Sequence, residues 1–270
     1  MSNIELGNIE ETLFVPLRGR IYATKNCNYI LNDRKTLEIA SRIPEKFLSF
    51  EGENEYTLVS SAIRSMNMDK CIQDFINRYP DGSIINVGCG LETLFHRNDN
   101  NKTLFYELDL ENVIDLRRQV IGNNERDICL AYSMFDYNWI NRVLKTSKGP
   151  FLVVSSGVFY YFKEEEVIDF LKHLKGLGEV EVVFDAVSKF GIKQSNMYLK
   201  KLGKDDAIMY FYVDNVEDFV KKIGSDVEII ETRDYFKNIT DKSQFNLVTK
   251  SKMIISDKFH MVKHIHLKIQ

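Results

Sequence analysis

Two glycines and one carboxylate are spaced as in sites that bind a nucleoside. Gly88 and Gly90 follow the apolar run 84–87, a pattern typical of a buried parallel strand that ends in a tight turn. Glycine permits a positive φ and a close approach of backbone to ligand. A second apolar run ends in Asp109, about 20 residues after the turn, where an acidic side chain holds a ribose hydroxyl in nucleotide-binding folds.

The position of a third glycine helps to separate two ligand classes. A dinucleotide site uses Gly-x-Gly-x-x-Gly, in which the third glycine allows close packing of helix on strand. Thr93 occupies that place here, which disfavours an NAD-dependent reductase but leaves it as an alternative. S-adenosylmethionine (SAM) has no pyrophosphate, so one glycine turn and one ribose carboxylate suffice for it. A glycine turn after a strand is also often a turn and nothing more.

Further polar residues follow the next apolar runs. Phe135 and Asp136 come after the third run, where an acid can meet an adenine amino group. Ser156 follows the fourth run, and ligands of open α/β sheets bind outside the carboxyl ends of the strands. Tyr160 and Tyr161 belong to an aromatic segment that forms either core packing or the wall of an acceptor pocket.

Two arginines precede the glycine turn. Arg20 lies beside apolar residues, and Arg64 lies upstream of the helical stripe described below. Each could face an anionic ligand group. The alternatives are a solvated helix face for Arg20 and a surface ion pair for Arg64.

The elements that must position these residues alternate along the chain. Five apolar runs, each read as a strand, are separated by helical patterns, of which the clearest is the stripe Met68, Ile72, Phe75, Ile76 and Tyr79. Two closing strands are expected at 227–231 and 262–269, whereas 186–206 shows no clear period. This order predicts an α/β doubly wound sheet. A hairpin-like final pair would add an antiparallel strand near one edge, as in SAM-dependent methyltransferases; this step is an analogy of fold.

Composition narrows the function classes. The chain has 270 residues, is 44% hydrophobic and has a formal charge of -3, which suits one large domain and gives no electrostatic footprint for nucleic acid. No apolar run approaches the roughly 20 residues that cross a bilayer. Residues 1–12 contain no signal-peptide core. Four isolated cysteines favour reduced thiols and a cytoplasmic protein.

Histidines give no clear site. His260, His264 and His266 form the one histidine cluster, and the last two would share a face of the final strand. No carboxylate or cysteine joins them at ligand spacing in the sequence, so exposed strand histidines are favoured over a metal site. The expected metal is therefore none. His96 and His173 are candidate bases by residue type alone.

Several spaced motifs together carry a family resemblance. They are PLRGR (16–20), ILND (30–33), NVGCGLETLFHR (86–97), YELDL (106–110), VIDLR (113–117), FD (135–136) and GVFYYF (157–162). The set resembles the leucine carboxyl methyltransferase-like superfamily, in particular its bacterial branch of the tetracenomycin polyketide synthesis O-methyltransferase type. The likeness extends from about residue 11 to about residue 235, nearly the whole chain.

The resemblance implies a fold, a cofactor and site residues. The fold would be class I SAM-dependent methyltransferase: a Rossmann-like seven-stranded sheet with an antiparallel last strand, a core at 66–270 and an N-terminal helical cap at 1–65. Arg64 would hold the methionine carboxylate, with Arg20 as a second basic group. The glycine turn would lie under the cofactor, Asp109 on the ribose, and Phe135 with Asp136 on the adenine. The product would be S-adenosylhomocysteine (SAH).

Three positions depart from the family pattern. The family usually has Asp at position 92, Arg at position 94 and Glu before the Gly-Val motif, where this chain has Glu92, Leu94 and Ser156. The missing glutamate lies by the amino-acid part of the cofactor in the family. Its loss removes a contact worth on the order of 1.5–3 kcal/mol when charge-assisted.

The leading hypothesis is an O-methyltransferase that acts on a hydroxyl or carboxyl of a small molecule, such as a polyketide or another secondary metabolite. A non-catalytic SAM-binding protein and a carboxyl methyltransferase of a protein C-terminus are the alternatives. No residue identifies itself as a catalytic base, and Tyr160 and Tyr161 are candidates by type. The partner would be a small-molecule methyl acceptor, without nucleic acid or membrane.

Overall fold

A seven-stranded sheet forms the centre of the protein in a computed structural model, which describes residues 13–201 and 207–270. The strands are β1 Ser83–Val87, β2 Leu104–Asp109, β3 Asp127–Ala131, β4 Phe151–Ser155, β5 Val180–Val187, β6 Val227–Asp234 and β7 Val262–Ile269. Their spatial order is β3-β2-β1-β4-β5-β7-β6. β7 runs antiparallel to both β5 and β6, and the other pairings are parallel. The expected doubly wound sheet with an antiparallel last strand is confirmed.

Helices precede and cover this sheet. They are α1 Phe14–Asn26, α2 Arg34–Ala40, α3 Glu55–Arg78, α4 Leu94–Asn98, α5 Glu111–Val120, α6 Asn138–Thr146, α7 Glu164–His173, α8 Lys189–Lys201, α9 Val216–Ile223 and α10 Leu247–Lys258. The expectation for residues 1–12 lies outside the described residues. Among the described helices, none is both long and apolar enough to cross a bilayer.

Two apolar layers hold the helices on the sheet. One contains Trp139, Phe159, Phe170 and Phe184. The other packs α3 against the opposite face, with Phe75 among its members. Side chains of successive strand residues point to opposite faces, so a strand covered on both sides is largely apolar along its length. This explains why the short continuous apolar runs identify β1, β4 and β5.

Helix α3 links the N-terminal helices to the sheet. Asn54 caps its first turn by accepting a hydrogen bond from the Thr57 amide at 3.1 Å. The helix then continues without interruption for 24 residues, and its N-terminal half packs along α1. The expected cap boundary at residue 65 therefore falls inside a single helix.

Candidate active site

The glycine turn after β1 is folded against the end of β2. Gly88 has φ 64° and Gly90 has φ 47°, both in the left-handed region that favours glycine. A Cβ on Gly88 would clash with the side chain of Val158. The Gly88 amide also donates to the Leu108 carbonyl at 2.8 Å. Close packing and backbone conformation therefore both require glycine at position 88.

Asp109 joins this turn through its carboxylate. Its Oδ2 accepts from the Gly90 amide at 2.8 Å, and its Oδ1 accepts from the Leu110 amide at 2.8 Å. The side chain is half-buried at the carboxyl end of β2. The structure thus brings together the turn and the acid that the sequence paired.

Phe135 and Asp136 lie in the loop that follows β3. The Phe135 ring makes an edge-to-face contact with Phe162, with centroids 5.0 Å apart. Asp136 is exposed, and its Oδ1 accepts from the backbone and side-chain nitrogens of Asn138 at 3.2 and 2.8 Å. Both residues lie at the same edge of the sheet as Asp109, because β3 pairs in parallel with β2 and the two strands end at that edge.

The loop after β4 lies under Arg64. Gly157 has φ 74°, and a Cβ there would overlap the Arg64 guanidinium. Ser156 is half-buried beside it. Ser155, the last residue of β4, is buried, and its Oγ has no hydrogen-bond partner among the described residues. The Arg64 guanidinium and the Ser155 hydroxyl therefore lie on either side of the turn that contains Ser156.

Asp185, in β5, completes this corner and was not singled out as a site residue from the sequence. It is 1% exposed, accepts from the Gly157 amide at 2.7 Å and from the Tyr160 hydroxyl, and lies 3.6 Å from Arg64 Nη1. Burial raises the pKa of Asp185, against the opposing effect of the Arg64 guanidinium. The available signal was that an apolar run ends in this aspartate, as β2 ends in Asp109.

The candidate bases occupy different surroundings. Tyr160 is buried and donates to Asp185, whereas Tyr161 is half-buried. His173 is exposed on α7 and stacks on Tyr137 at 3.8 Å. Burial lowers the pKa of His96, which lines a cavity of about 550 Å³ between α2, α3 and α4. Of these four, Tyr160 is the one whose polar atom bonds to the Arg64 corner.

Arg20 lies deep in an ion-pair network. Its side chain is 1% exposed, donates to the Leu91 carbonyl at 2.6 Å, and lies 3.0 Å from Glu92 and 3.3 Å from Asp33. Arg97 lies 2.6 Å from the same glutamate and 3.1 Å from the same aspartate. The interpretation of Arg20 as a solvated helix face is therefore wrong. Its role toward the cofactor stays a prediction.

Glu92, one of the departures from the family pattern, is a central member of this network. Burial alone would raise its pKa, but Arg20 and Arg97 outweigh that effect and hold the pKa far below its ordinary value. The Ser65 hydroxyl also donates to it at 2.9 Å. Glu92 thus fixes the segment just after the glycine turn against α1 and α3.

The comparisons with known proteins fit this geometry. Residues 29–175, just over half of the chain, match the leucine carboxyl methyltransferase family. The chain belongs to this family. This makes it a SAM-dependent methyltransferase, and the cofactor expected from the resemblance is confirmed.

Two curated relatives support the assignment, and one solved structure shows the same fold. The chain is 26% identical to the S-adenosyl-L-methionine-dependent methyltransferase dpfgK of Gibberella zeae, over 68% of the chain and 67% of that protein. It is 25% identical to the tetracenomycin polyketide synthesis O-methyltransferase TcmP of Streptomyces glaucescens, over 68% of each. The structure of magnesium protoporphyrin IX methyltransferase from Synechocystis PCC 6803 with bound SAH superposes with a TM-score of 0.52 at 11% identity, covering 93% of this chain and 98% of that one.

The residues at the carboxyl edge fit a nucleoside cofactor. The turn at Gly88 has no room for a Cβ, the Asp109 carboxylate lies on the same turn, and Ser155 Oγ is a buried polar atom without a partner among the described residues. The backbone amides of Gly90 and Leu110 orient the Asp109 carboxylate on this turn. Arg64 supplies a cation at the opposite end of this edge.

Proposed function

We propose that this protein transfers the methyl group of SAM to a hydroxyl or carboxyl group of a small molecule, of the polyketide or secondary-metabolite type. The main support is that the Gly88 turn, Asp109 and the Arg64–Asp185 pair lie along one edge of a class I sheet. The chain is also similar to an O-methyltransferase of polyketide synthesis.

In this proposal each end of the edge holds one part of the cofactor. Asp109 would accept the ribose hydroxyls, and Phe135 with Asp136 would border the adenine. Arg64 would pair with the methionine carboxylate, and Ser156 would lie beside it. When bound, SAM supplies an electrophilic methyl group on a sulfonium, so positioning of the acceptor provides much of the catalysis, up to about 7–11 kcal/mol in well-oriented reactions.

Methyl transfer to a hydroxyl also requires removal of the proton of that hydroxyl. A carboxylate acceptor needs no base, whereas a hydroxyl must lose a proton to one. Tyr160 already donates to the buried Asp185, whose pKa is raised by burial. We propose that a hydroxyl substrate would transfer its proton to the Tyr160 oxygen while Tyr160 transfers its own proton to the Asp185 carboxylate.

Labelled methyl transfer tests the proposal. Purified protein is incubated with methyl-labelled SAM and a panel of phenols and carboxylic acids, and label is expected in the small-molecule fraction. Mild alkali then releases label from an ester but not from an ether. SAH binding without label transfer to any acceptor would leave a non-catalytic SAM-binding protein.

The family name motivates a second candidate, methylation of a protein's C-terminal carboxylate. It predicts alkali-labile label on C-terminal peptides of a partner protein rather than in the small-molecule fraction. The same incubation, repeated with a cell extract and separated by size, distinguishes the two.

A further inference from the structure

A cysteine, a glutamate and a histidine from three distant parts of the chain converge beside the Arg64 corner, because His264 of β7 is the cross-strand partner of Asp185 of β5. Cys71 lies on α3, Glu231 on β6 and His264 on β7, and one potential ligand atom from each lies within 4.8 Å of the others. Cys71 is 3% exposed and His264 is 0% exposed. The expectation of an exposed strand histidine is therefore wrong for His264.

The three donors match one class of ion. Thiolate, imidazole and carboxylate are the ligands of Zn²⁺, which is often held by three protein groups and one water. Cys71 Sγ and His264 Nε2 are 3.1 Å apart. Bonds of about 2.3 Å to sulfur and 2.0–2.1 Å to nitrogen in a tetrahedral site would set them about 3.6 Å apart. Small side-chain rotations would therefore open the pair for an ion.

The two ring nitrogens of His264 have different surroundings. Its Nδ1 atom is buried without a hydrogen-bond partner among the described residues. Its Nε2 atom instead faces Cys71, so an ion bound at Nε2 would leave Nδ1 as the N–H of the ring.

Glu231 would contribute a negative charge to an ion site and connects that site to a solvent-exposed cavity. Arg233 Nη1 donates to its two oxygens at 3.1 and 2.9 Å, which positions the carboxylate. Its side chain is 40% exposed and lines a cavity of about 480 Å³ that Arg233 shares. The Arg233 charge opposes a second cation, but a Cys71 thiolate and the Glu231 carboxylate would together supply two negative charges.

We propose that Cys71, Glu231 and His264 form a binding site for a divalent transition-metal ion of the Zn²⁺ class. Binding forms a metal–sulfur bond, and the thiol proton leaves to solvent. The ion would join the helix that carries Arg64 to the last two strands of the sheet. The site is separate from the Gly88 turn and does not depend on the proposed methyl transfer.

Cobalt titration of the whole chain, first stripped with a chelator, tests the site. Co²⁺ bound through a thiolate gives a sulfur-to-metal charge-transfer band, and one equivalent of Zn²⁺ should displace it. We expect Cys71→Ser to abolish this band and Glu231→Gln to weaken Co²⁺ binding at least tenfold. Cys27→Ser is the matched control and should keep the band. It removes a buried thiol at the end of α1, in the apolar cluster where α1 packs on α3.

Thermal unfolding provides a readout that separates binding from misfolding. Zn²⁺ should raise the Tm of the wild type and of Cys27→Ser but not that of Cys71→Ser. Glu231→Gln changes a partly exposed side chain, so it keeps the proposal testable if Cys71→Ser fails to fold. A charge-transfer band unaffected by Cys71→Ser, or a Tm shift equal in all variants, would overturn the site, as would the absence of Co²⁺ binding to the wild type.

Discussion

At the scale of single residues, Asp185 explains how the Arg64 corner is built. Its carboxylate accepts from the Gly157 amide and from Tyr160, and it lies 3.6 Å from Arg64. The guanidinium therefore has a buried counter-charge next to the turn that contains Ser156. A carboxylate from β5 thus lies beside the position where the family usually has glutamate and this chain has serine.

Asp185→Asn should weaken SAH binding about tenfold or more, because a charge-assisted contact of about 1.5–3 kcal/mol orients Arg64. Isothermal titration with SAH measures this. Asp214→Asn is the control, since Asp214 also accepts from a backbone amide, that of Lys189, but is not part of this corner. Equal SAH affinity in the wild type and Asp185→Asn would remove Asp185 from the cofactor site.

Gly88→Ala should destabilise the protein by more than the roughly 1–2 kcal/mol that a left-handed residue costs, because its Cβ also meets Val158. The control is Gly122→Ala, where φ is 98° but no atom lies within 4 Å of the added Cβ. Urea unfolding compares the two. The double variant with Val158→Ala should recover part of the loss, and no recovery would locate the cost in the backbone alone.

At the scale of elements, the sequence predicts where the strands end. It does not predict which residues, distant in sequence, contact the residues at those ends. Gly88 and Asp109 follow short apolar runs whose pattern identifies buried strands, and the order of the strands then places them together. Asp185 bonds to Gly157, and Cys71 contacts His264, across long sequence separations. Hydrophobic periodicity reports on local structure, so it does not indicate contacts between residues that are far apart in the sequence.

The helix α8 shows the same limit. Residues 186–206 were expected to lack a clear period, yet Lys189–Lys201 is helical. Its apolar residues do not share one buried face, because Phe190 is 53% and Met197 56% exposed while Ile192 is buried. Amphipathic periodicity cannot identify a helix whose apolar residues point to solvent.

Glu181 connects three elements and makes stability depend on pH. It lies on β5, accepts from Arg78 of α3 at 2.6 and 2.7 Å, and pairs with His266 of β7 at 2.9 Å. Burial would raise its pKa, but the hydrogen bonds from Arg78 and the proximity of His266 outweigh that effect and lower the pKa from 4.5 to about 2. Because the unfolded chain binds this proton more readily, the stabilisation is present above about pH 4.5 and is lost as the pH falls toward 2.

Glu181→Gln should therefore cost about 1–2 kcal/mol at pH 6, after discounting for the partly exposed Arg78. The difference from the wild type should shrink between pH 5 and pH 2. Urea unfolding at a series of pH values measures it. Glu179→Gln, which removes an exposed carboxylate just before β5, should show a small difference throughout. A gap for Glu181→Gln that stays constant with pH would contradict the assignment.

At the scale of the whole molecule, the Arg20 network joins the N-terminal helices to the sheet. Arg20 lies on α1, Asp33 caps α2, and Glu92 follows the glycine turn. Arg97 extends the network to Asp69 of α3 with bonds of 2.7 and 2.9 Å. Removing one member of such a buried set leaves uncompensated charge, which costs about 3–5 kcal/mol.

Arg20→Met should lower the Tm by about 6–20 °C, given roughly 2–4 °C for each kcal/mol in domains of this size. Arg126→Met breaks an ion pair with Asp99 nearer the surface and should shift the Tm little. At a temperature where Arg20→Met is folded, its SAH affinity should lie within threefold of the wild type, because its guanidinium bonds to the protein. A large loss of SAH affinity with an unchanged Tm would instead make Arg20 a cofactor ligand, as the family resemblance implies. The paired measurement separates the two roles, since a purely structural arginine changes the free energy of unfolding while leaving the folded site intact.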